Sequence, residues 1–307
     1  MMVKIAVTSS SFSQNDILRK ELSTRFPNVV FNEKGRTLTR EETAEVLRTV
    51  DGAIIGVEKI DSSVLPKSDR LKILSKYGVG IDNIDFDACR VAGVEVYWKS
   101  GVNAYSVAEQ TIGMILMSCR ALFARCQSLK RGEWVKNGGT QLSSKTLGII
   151  GLGNVGQKLV ELLRPFGTKI IANDIEDRSD FCRKYGIEQV ELDRVFRDSD
   201  IVSLHVPLTA LTRQLVNAER LSLMKSSSLL VNTSRGAVVD QNALKKALLA
   251  NIIGAAALDV YEEEPPRDLE FLSLPNLICT PHICGNSSES VLAMGRSAIY
   301  GLNQRFT

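Results

Sequence analysis

The stretch TLGIIGLGNVGQ, residues 146–157, joins an apolar run to a glycine-rich turn. The run predicts a buried strand, and the residues from 154 to 166 predict a helix that Gly167 ends. The first glycine of such a turn permits a sharp bend, the second lets the backbone approach a pyrophosphate, and the third allows close helix packing. The free N–H groups at the start of the helix attract the anion. We therefore expect a dinucleotide site at Gly151, Gly153, Asn154, Val155 and Gly156, with an ordinary glycine-rich turn as the alternative.

An acidic residue at the end of the next strand indicates which dinucleotide binds. Asp174 closes the predicted strand KIIAN, about 20 residues beyond the glycines, where a carboxylate accepts hydrogen bonds from the adenosine ribose. No cation occurs between Asp174 and Arg178, so a 2′-phosphate would meet negative charge. The sequence favours NAD over NADP, although Asp174 could instead cap a turn.

Strand and helix patterns alternate on both sides of this unit. Upstream, β-like runs lie at 3–7, 53–57, 71–78 and 94–98, with a helix at 15–25; downstream, further runs lie at 169–173, 200–206, 228–234, 255–261 and 277–280, with helices at 240–250 and 287–303. Residues 104–131 carry the apolar spacing of one long helix. The alternation predicts an α/β fold with parallel sheets covered by helices.

Composition bounds the function classes. A chain of 307 residues is long enough for two domains, and 38 basic against 35 acidic residues give a net charge of +3, which indicates neither a nucleic-acid nor a membrane partner. No apolar run reaches the length of a membrane span, and the N-terminus lacks the features of a signal peptide, so we expect a cytoplasmic protein. The 6 cysteines form no C-x-x-C pair, which predicts no metal site and no disulfide framework.

Three polar residues follow predicted strand ends in the second half of the chain. Hydride transfer from a hydroxyl-bearing carbon needs a proton acceptor and a group that holds an anion. His282 is one of only 2 histidines, and Arg235 and Glu264 also come directly after strands. Because ligands gather at the carboxyl ends of parallel strands, these three are the candidate catalytic residues.

At this point the chain resembles the D-isomer-specific 2-hydroxyacid dehydrogenase family over nearly its whole length. The resemblance rests on KYGVGIDNID (76–85), GVNAYSVAEQT (101–111), TLGIIGLGNVGQ (146–157), HVPLT (205–209), VNTSRGAVVD (231–240), LDVYEEEPP (258–266) and TPHICGN (280–286), in that order. Several such blocks in register are more specific than any single block.

The resemblance implies roles for the candidate residues. His282 is expected to be the general acid and base, Glu264 to orient its ring and raise its pKa, and Arg235 to hold the substrate carboxylate. It also implies that the amides of Val79 and Gly80 bind that carboxylate. The other residues it places at the substrate or the cofactor are Asn103 for the substrate, and His205, Pro207, Thr212, Thr233 and Asp259 for the cofactor.

The family fold implies two Rossmann-like domains with parallel sheets, in which the NAD-binding domain is inserted into a discontinuous, flavodoxin-like substrate domain. Here that predicts a substrate domain at 1–99 and 285–307 and an NAD-binding domain at 100–284. It also implies a homodimer formed through the helix that follows Asn103.

The expected activity is NAD-dependent interconversion of a D-2-hydroxy acid and its 2-oxo acid. Phosphoglycerate dehydrogenases of this family usually carry an arginine just after the strand equivalent to AIIGV, whereas this chain has Gly56, Val57 and Glu58, followed by Lys59. 3-Phosphoglycerate therefore stays an alternative substrate. An NAD(H)-sensing scaffold or corepressor-like protein is the alternative from another class. The complete set of Arg235, Glu264 and His282 favours an enzyme.

Overall fold

The computed structural model describes residues 2–66 and 70–306. It divides into two compact units, Met1–Asn103 with Asn286–Thr307, and Ala104–Gly285. The predicted domain boundaries were 99/100 and 284/285, and their outer ends at residues 1 and 307 lie outside the described residues. We call the two parts unit 1 and unit 2, and their assignment to substrate and cofactor stays a prediction.

The regular elements of the described residues alternate along the chain. The strands are β1 Lys4–Val7, β2 Asn28–Phe31, β3 Gly52–Ile55, β4 Ile73–Lys76, β5 Glu95–Tyr97, β6 Thr146–Ile150, β7 Lys169–Asn173, β8 Glu188–Gln189, β9 Ile201–Leu204, β10 Leu229–Asn232, β11 Ala255–Leu258 and β12 Leu277–Cys279. The helices are α1 Ser10–Ser13, α2 Asp16–Arg25, α3 Arg40–Leu47, α4 Phe86–Val91, α5 Ala104–Cys119, α6 Leu122–Lys130, α7 Asn154–Leu163, α8 Ser179–Tyr185, α9 Leu192–Asp198, α10 Ala218–Leu223, α11 Gln241–Leu249, α12 Leu269–Leu272 and α13 Ser288–Phe306. Short 3-10 turns lie at Leu142–Ser144, Arg164–Phe166 and Gly236–Val238.

Unit 1 contains a five-stranded parallel sheet in the order β2-β1-β3-β4-β5. This is the flavodoxin-like order, in which the strand sequence reverses direction between β1 and β3. The C-terminal helix α13 completes the unit, because the Ser75 hydroxyl donates to the carbonyl of Ala298 over 2.7 Å and buried Met294, Ile299 and Leu302 join the apolar core. Helix α13 therefore packs against the sheet of unit 1.

Unit 2 contains a seven-stranded parallel sheet in the order β12-β11-β10-β9-β6-β7-β8. Its strands β6, β7, β9 and β10 are mostly buried and rich in Ile, Val and Leu, as expected when helices cover both faces of a parallel sheet. The strand order reverses direction between β6 and β9, the dinucleotide-binding arrangement of a doubly wound sheet. The α/β fold class predicted from the sequence is confirmed.

The single long helix predicted for residues 104–131 is wrong. The helix breaks after Cys119, where Ala121 has a φ of 50°, and α5 and α6 meet at a bend of 61°. The segment that follows α6 stabilises this break. The amide of Thr140 donates to the Cys119 carbonyl over 2.8 Å, and Arg120 Nε donates to the Gly138 carbonyl. No single helix in residues 2–66 and 70–306 is long and apolar enough to cross a membrane, while α5 and α6 together meet that criterion by length and composition.

Helix α3 was missed by the periodicity argument, although its start carries a local signal. The Thr39 hydroxyl accepts the amide of Glu42, and the Glu42 carboxylate accepts the amide of Thr39, which is a capping box. Strands β2 and β8 were also missed. They are short and only partly buried, so their apolar pattern is weak.

Candidate active site

The glycine turn after β6 brings backbone close to backbone at Gly151 and Gly156. Gly151 has a φ of +97°, and a Cβ there would lie 2.6 Å from the carbonyl oxygen of His205. A Cβ at Gly156 would lie 2.0 Å from the carbonyl oxygen of Gly151, so only glycine allows α7 to approach the strand this closely. A Cβ at Gly153 would meet nothing within 4 Å, so the backbone is open to a ligand at this point.

The start of α7 suits a pyrophosphate. The helix begins at Asn154 and has Gly153 as its N-cap, which has no side chain to accept the amides of the first turn. The amides and the partial positive charge of the helix N-terminus can therefore bind an external anion. The residues of the turn therefore fit an NAD pyrophosphate.

Asp174 lies directly after β7 and is fixed by backbone amides. Its Oδ2 accepts the amide of Leu152 over 2.7 Å, and its Oδ1 accepts the amide of Glu176 over 2.9 Å. Each carboxylate oxygen has a second lone pair for a ribose hydroxyl. Arg178 folds back on this group, with Nε 3.7 Å from Asp174 and Nη2 2.5 Å from Glu176. The sequence argument placed no cation here, but the fold brings Arg178 beside Asp174, where two carboxylates balance its charge.

Four further predicted cofactor residues, His205, Pro207, Thr212 and Thr233, follow β9 and β10. His205 directly follows β9, its Nε2 lies 2.9 Å from the Ser203 hydroxyl, and burial lowers its pKa to about 4. The Thr212 hydroxyl donates to the Pro207 carbonyl over 2.5 Å and so closes the turn between them. Thr233 is buried after β10, with its hydroxyl 3.1 Å from that of Thr111.

The turn that carries His282 follows β12 and has an uncommon backbone. His282 has a φ of 53°, in the left-handed region that residues other than glycine adopt uncommonly. Its amide donates to the carbonyl of Thr280 over 3.1 Å. A strained backbone of this kind persists only where its surroundings fix it.

Asp259 holds this turn through hydrogen bonds. It is fully buried after β11, and its carboxylate accepts the Thr280 hydroxyl at 2.5 Å and the amides of Ile283 and Cys284 at 2.9 Å each. Gln110 of α5 donates to the same carboxylate over 3.3 Å. The structure thus places Asp259, predicted at the cofactor, as the anchor of the residues on both sides of His282.

Glu264 and His282 form the charged pair of the site. His282 Nδ1 lies 2.7 Å from Glu264 Oε2, and Glu264 Oε1 accepts the amide of Tyr261 over 3.0 Å. The hydrogen bond to Glu264 raises the pKa of His282 above its usual value, against partial burial, which lowers it. Burial acts to raise the pKa of Glu264, but the hydrogen bonds from His282 and Tyr261 outweigh it and hold that pKa below its usual value.

Arg235 belongs to the same cluster. It follows β10 in the turn before Gly236–Val238, and its Nη1 donates to the carbonyl of Ser234 over 2.7 Å. Its positive charge is close enough to act on both partners of the pair, because it lowers the pKa of His282 and of Glu264. A cation, an imidazole and a carboxylate therefore come together at the carboxyl edge of the sheet in unit 2.

Besides Arg235, the predicted substrate residues lie in unit 1. Val79 and Gly80 follow β4 and are partly exposed, and Gly78 before them has a φ of 115°. Asn103 closes the first segment of this unit. The backbone amides of Val79 and Gly80 therefore lie at the carboxyl edge of the unit 1 sheet, where ligands of such sheets bind.

Sequence reasoning missed three residues that organise the histidine turn. Tyr261 donates its hydroxyl to the Thr280 carbonyl over 3.0 Å, and Gln110 donates to the Thr280 hydroxyl over 3.2 Å. Thr280 and Tyr261 stand within the quoted blocks, beside the residues that drew attention, but their roles depend on contacts across distant segments. No local pattern would have revealed them.

Comparison with known proteins agrees with this geometry. The family model "D-isomer specific 2-hydroxyacid dehydrogenase, NAD binding domain" matches residues 112–284. The chain is 38% identical over 298 residues to the D-3-phosphoglycerate dehydrogenase of Methanocaldococcus jannaschii, a match that covers 96% of this chain and 56% of that protein. It is 37% identical over 265 residues to the hydroxypyruvate reductase of Thermotoga maritima, covering 84% and 85%. The chain thus spans little more than half the length of the first relative and most of the second.

Solved structures show the same fold. The D-lactate dehydrogenase of Aquifex aeolicus, solved with NAD and lactic acid, superposes with a TM-score of 0.89 at 28% identity, covering 99% of this chain and 95% of that one. This likeness and the relatives above extend over both units, while the family model covers unit 2 apart from residues 104–111 and Gly285. The chain belongs to the D-isomer specific 2-hydroxyacid dehydrogenase family, as an NAD-dependent oxidoreductase.

Proposed function

We propose that this chain interconverts a D-2-hydroxy acid and its 2-oxo acid, with His282 as the general acid and base. The observation that carries the proposal is the 2.7 Å contact between His282 Nδ1 and Glu264 Oε2, together with the raised pKa of the imidazole. A histidine with a raised pKa keeps its proton to a higher pH than an ordinary histidine and can also accept one. Bound NAD(H) supplies the hydride acceptor or donor for C2 of the substrate.

The proton follows the direction of the reaction. In reduction, protonated His282 donates its proton to the carbonyl oxygen of the 2-oxo acid, and in oxidation neutral His282 accepts the hydroxyl proton. Glu264 fixes the ring through Nδ1 and stabilises the imidazolium. The proton transfer to or from the substrate is therefore assigned to the other ring nitrogen, Nε2. Asp259 keeps the ring in place by holding the amides after it.

The substrate carboxylate is bound by cationic and backbone donors. Arg235 offers a planar fork of N–H groups that suits a carboxylate, and its charge also polarises the 2-oxo group. Val79 and Gly80 add backbone amides, and Asn103 adds a side-chain amide. Arg235 in this role is a catalytic residue, because it touches the substrate.

The nucleotide is bound by the residues of unit 2 described above. Gly151, Gly153 and Gly156, with the amides of Asn154 and Val155, take the pyrophosphate. Asp174 takes the adenosine ribose hydroxyls and disfavours a 2′-phosphate. The segments after β9 and β10 contribute His205, Pro207, Thr212 and Thr233 to the nicotinamide side.

The chain is proposed to act as a homodimer through the helical region after Asn103. Large apolar side chains stand exposed on α6 and just beyond it, namely Leu122, Phe123, Leu129, Trp134 and Val135. A second copy of the chain that covered them would remove this apolar area from water. Light scattering of the purified protein tests this, and a mass of about one chain at micromolar concentration argues against it.

The activity itself is tested by a panel of 2-oxo acids with NADH and with NADPH. Hydroxypyruvate, glyoxylate, pyruvate, branched 2-oxo acids and phosphohydroxypyruvate cover the side chains that the relatives' names suggest. We expect turnover of at least one with NADH in preference to NADPH. Protein that binds NADH but reduces none of them would support the alternative of an NAD(H)-sensing scaffold.

A further inference from the structure

We propose that Asn232 is the positioning residue for Arg235: its side-chain amide fixes the turn that carries the guanidinium and so determines how tightly the enzyme binds the carboxylate of a 2-oxo acid. The inference rests on the proposed function, in which Arg235 holds that carboxylate. Asn232 is the last residue of β10 and is only 1% exposed. A side chain buried this deeply acts on a substrate through the residues that it holds.

Asn232 itself is fixed by the sheet of unit 2. Its strand β10 lies between β9 and β11 and pairs with both. The carbonyl of Asn232 also accepts the amide of Asp259 over 3.0 Å. The side chain of Asn232 therefore extends from a strand that is held on both sides, which is the rigid support that a precise site needs.

The Asn232 amide group uses both of its ends within the turn. Its Oδ1 accepts the backbone amide of Ser234 over 3.0 Å and the Ser234 hydroxyl over 2.8 Å, and its Nδ2 donates to the carbonyl of Arg235 over 2.9 Å. Because a backbone N–H only donates and a carbonyl only accepts, these contacts decide which end of the amide is oxygen and which is nitrogen. One side chain thus holds the backbone before and after the Cα of Arg235.

The guanidinium of Arg235 hydrogen-bonds to the same segment. Its Nη1 donates to the carbonyl of Ser234 over 2.7 Å, so a shift of Ser234 moves an acceptor of the guanidinium. A guanidinium binds a carboxylate through two parallel N–H groups, and both hydrogen bonds form only when the planar group is aligned with the two oxygens. A small displacement of the turn therefore weakens carboxylate binding although Arg235 keeps its charge.

The turn also packs against the segment that leads to Glu264. A Cβ at Gly236 would lie 1.9 Å from the carbonyl oxygen of Tyr261 and 2.5 Å from the amide nitrogen of Glu262, so backbone packs directly on backbone there. The amide of Tyr261 in turn donates to Glu264. The Arg235 turn is thus held by Asn232 and by the segment that carries the partner of His282.

The test measures KM and kcat of Asn232→Ala for the 2-oxo acid that the wild type reduces best, together with the dissociation constant for NADH. The substitution removes no charge, so its effect on substrate binding reports position. We expect KM to rise by about 10-fold, the size of one lost hydrogen bond to a charged group. The values of kcat and of the dissociation constant for NADH should stay within about 3-fold of the wild type.

Asn276→Ala is the matched control. Asn276 stands just before β12 in the same unit, and its Nδ2 donates to the carbonyl of Leu248 over 3.2 Å. Its loss also removes a hydrogen bond from an asparagine to a backbone carbonyl, but KM should equal that of the wild type. An unchanged KM in a folded Asn232→Ala protein, or an equal rise in both variants, would overturn the proposal.

A double-mutant cycle with Arg235→Gln shows whether Asn232 acts through Arg235. The double variant should have the kcat/KM of Arg235→Gln alone, within about 2-fold, because no guanidinium is left to position. A further loss of about 10-fold in the double variant would show that Asn232 acts by another route and would overturn the proposal.

Ser234→Ala is the milder variant if Asn232→Ala does not fold. It removes one of the two hydrogen bonds that Asn232 Oδ1 accepts from Ser234, at a partly exposed residue, and should raise KM by about 3-fold. An unchanged KM would then overturn the proposal. Failure of the proposed function looks different, because the wild type would reduce no 2-oxo acid or Arg235→Gln would keep the kcat/KM of the wild type.

Discussion

The glycine turn at 151–156 and the histidine turn at 280–284 lie at the carboxyl edge of the same sheet, but different forces fix them. In the glycine turn, backbone approaches backbone, and the contacts that require glycine at Gly151 and Gly156 involve main-chain carbonyls. In the histidine turn, side chains hold the backbone, through Asp259 and Gln110, which lie 21 or more residues away along the chain. The glycine turn is suited to bind a ligand by the shape of its backbone, whereas the histidine turn also raises the pKa of His282.

The two histidines, one in each turn, show this difference in the direction of their pKa shifts. His205 belongs to the glycine turn, because its carbonyl faces Gly151, and burial lowers its pKa to about 4. His282 has Glu264 as a partner, and its pKa is raised. At neutral pH, His205 is therefore neutral and suited to pack beside a cofactor, while His282 keeps its proton to a higher pH than an ordinary histidine.

The largest expected effect comes from His282→Gln. Loss of the general acid should lower kcat by about 1,000-fold, within the usual range for such catalysis, while the dissociation constant for NADH stays near that of the wild type. The matched variant His205→Gln should do the opposite and weaken NADH binding while most of kcat remains. Steady-state kinetics and NADH fluorescence titration measure both. Equal loss of kcat in the two variants would remove the distinction between the turns.

Glu264→Gln should have the next largest effect, about a 100-fold loss in kcat. Gln keeps a hydrogen bond to the ring but removes the charge that raises the pKa of His282. Reduction needs protonated His282, so kcat/KM for reduction falls as the pH rises through that pKa. In the wild type the fall lies at higher pH than the usual histidine pKa, because the pKa is raised, and in Glu264→Gln it should move to lower pH.

A pH profile of the reductive kcat/KM checks the direction of this shift. Glu263→Gln is the control, since Glu263 pairs with Arg267 at the surface and should leave the profile in place. A profile of Glu264→Gln that coincides with the wild type would assign the titration to a group other than His282.

The sequence predicted the glycine turn more fully than the histidine turn, for a physical reason. A motif of neighbouring residues determines the turn at Gly151, so spacing alone indicates its function. His282 could be selected as a candidate, but its left-handed backbone and the support from Asp259, Tyr261 and Gln110 depend on segments that meet only in the fold. The same holds for Arg178, which the fold brings back to Asp174, and for the break between α5 and α6, which the segment around Thr140 stabilises from outside the helix.

A substitution at Asp174, which binds the amide of Leu152 in the glycine turn, should have a more moderate effect on activity. Asp174→Ala should lower the preference for NAD over NADP by about 10-fold, because the ribose loses an acceptor and Arg178 loses one of its two carboxylate partners. The exposed arginine charge would then attract a 2′-phosphate. The ratio of kcat/KM for the two cofactors measures this, with Asp177→Ala as the control. An unchanged ratio would remove Asp174 from the ribose site.

The smallest expected effect is that of Tyr261→Phe, which tests whether the histidine turn acts through position. The Tyr261 hydroxyl is buried and donates to the carbonyl of Thr280, which also accepts the amide of His282, while the amide of Tyr261 holds Glu264. Loss of the hydroxyl removes one buried hydrogen bond and should cost about 1 kcal/mol of unfolding free energy. We expect kcat to fall by about 3-fold through a looser His282 ring, with an unchanged KM.

The pH profile separates this effect from that of Glu264. In Tyr261→Phe the charge next to His282 is intact, so the reductive profile should keep its midpoint although kcat is lower. Tyr185→Phe is the matched control, because the Tyr185 hydroxyl contacts Glu161 on α7 over 3.1 Å, in the same unit but outside the histidine turn. A similar loss of stability in both variants, with kcat lowered only in Tyr261→Phe, would show that side chains holding the backbone of the histidine turn matter for the proton transfer itself. An equal kcat in both would limit Tyr261 to a structural role.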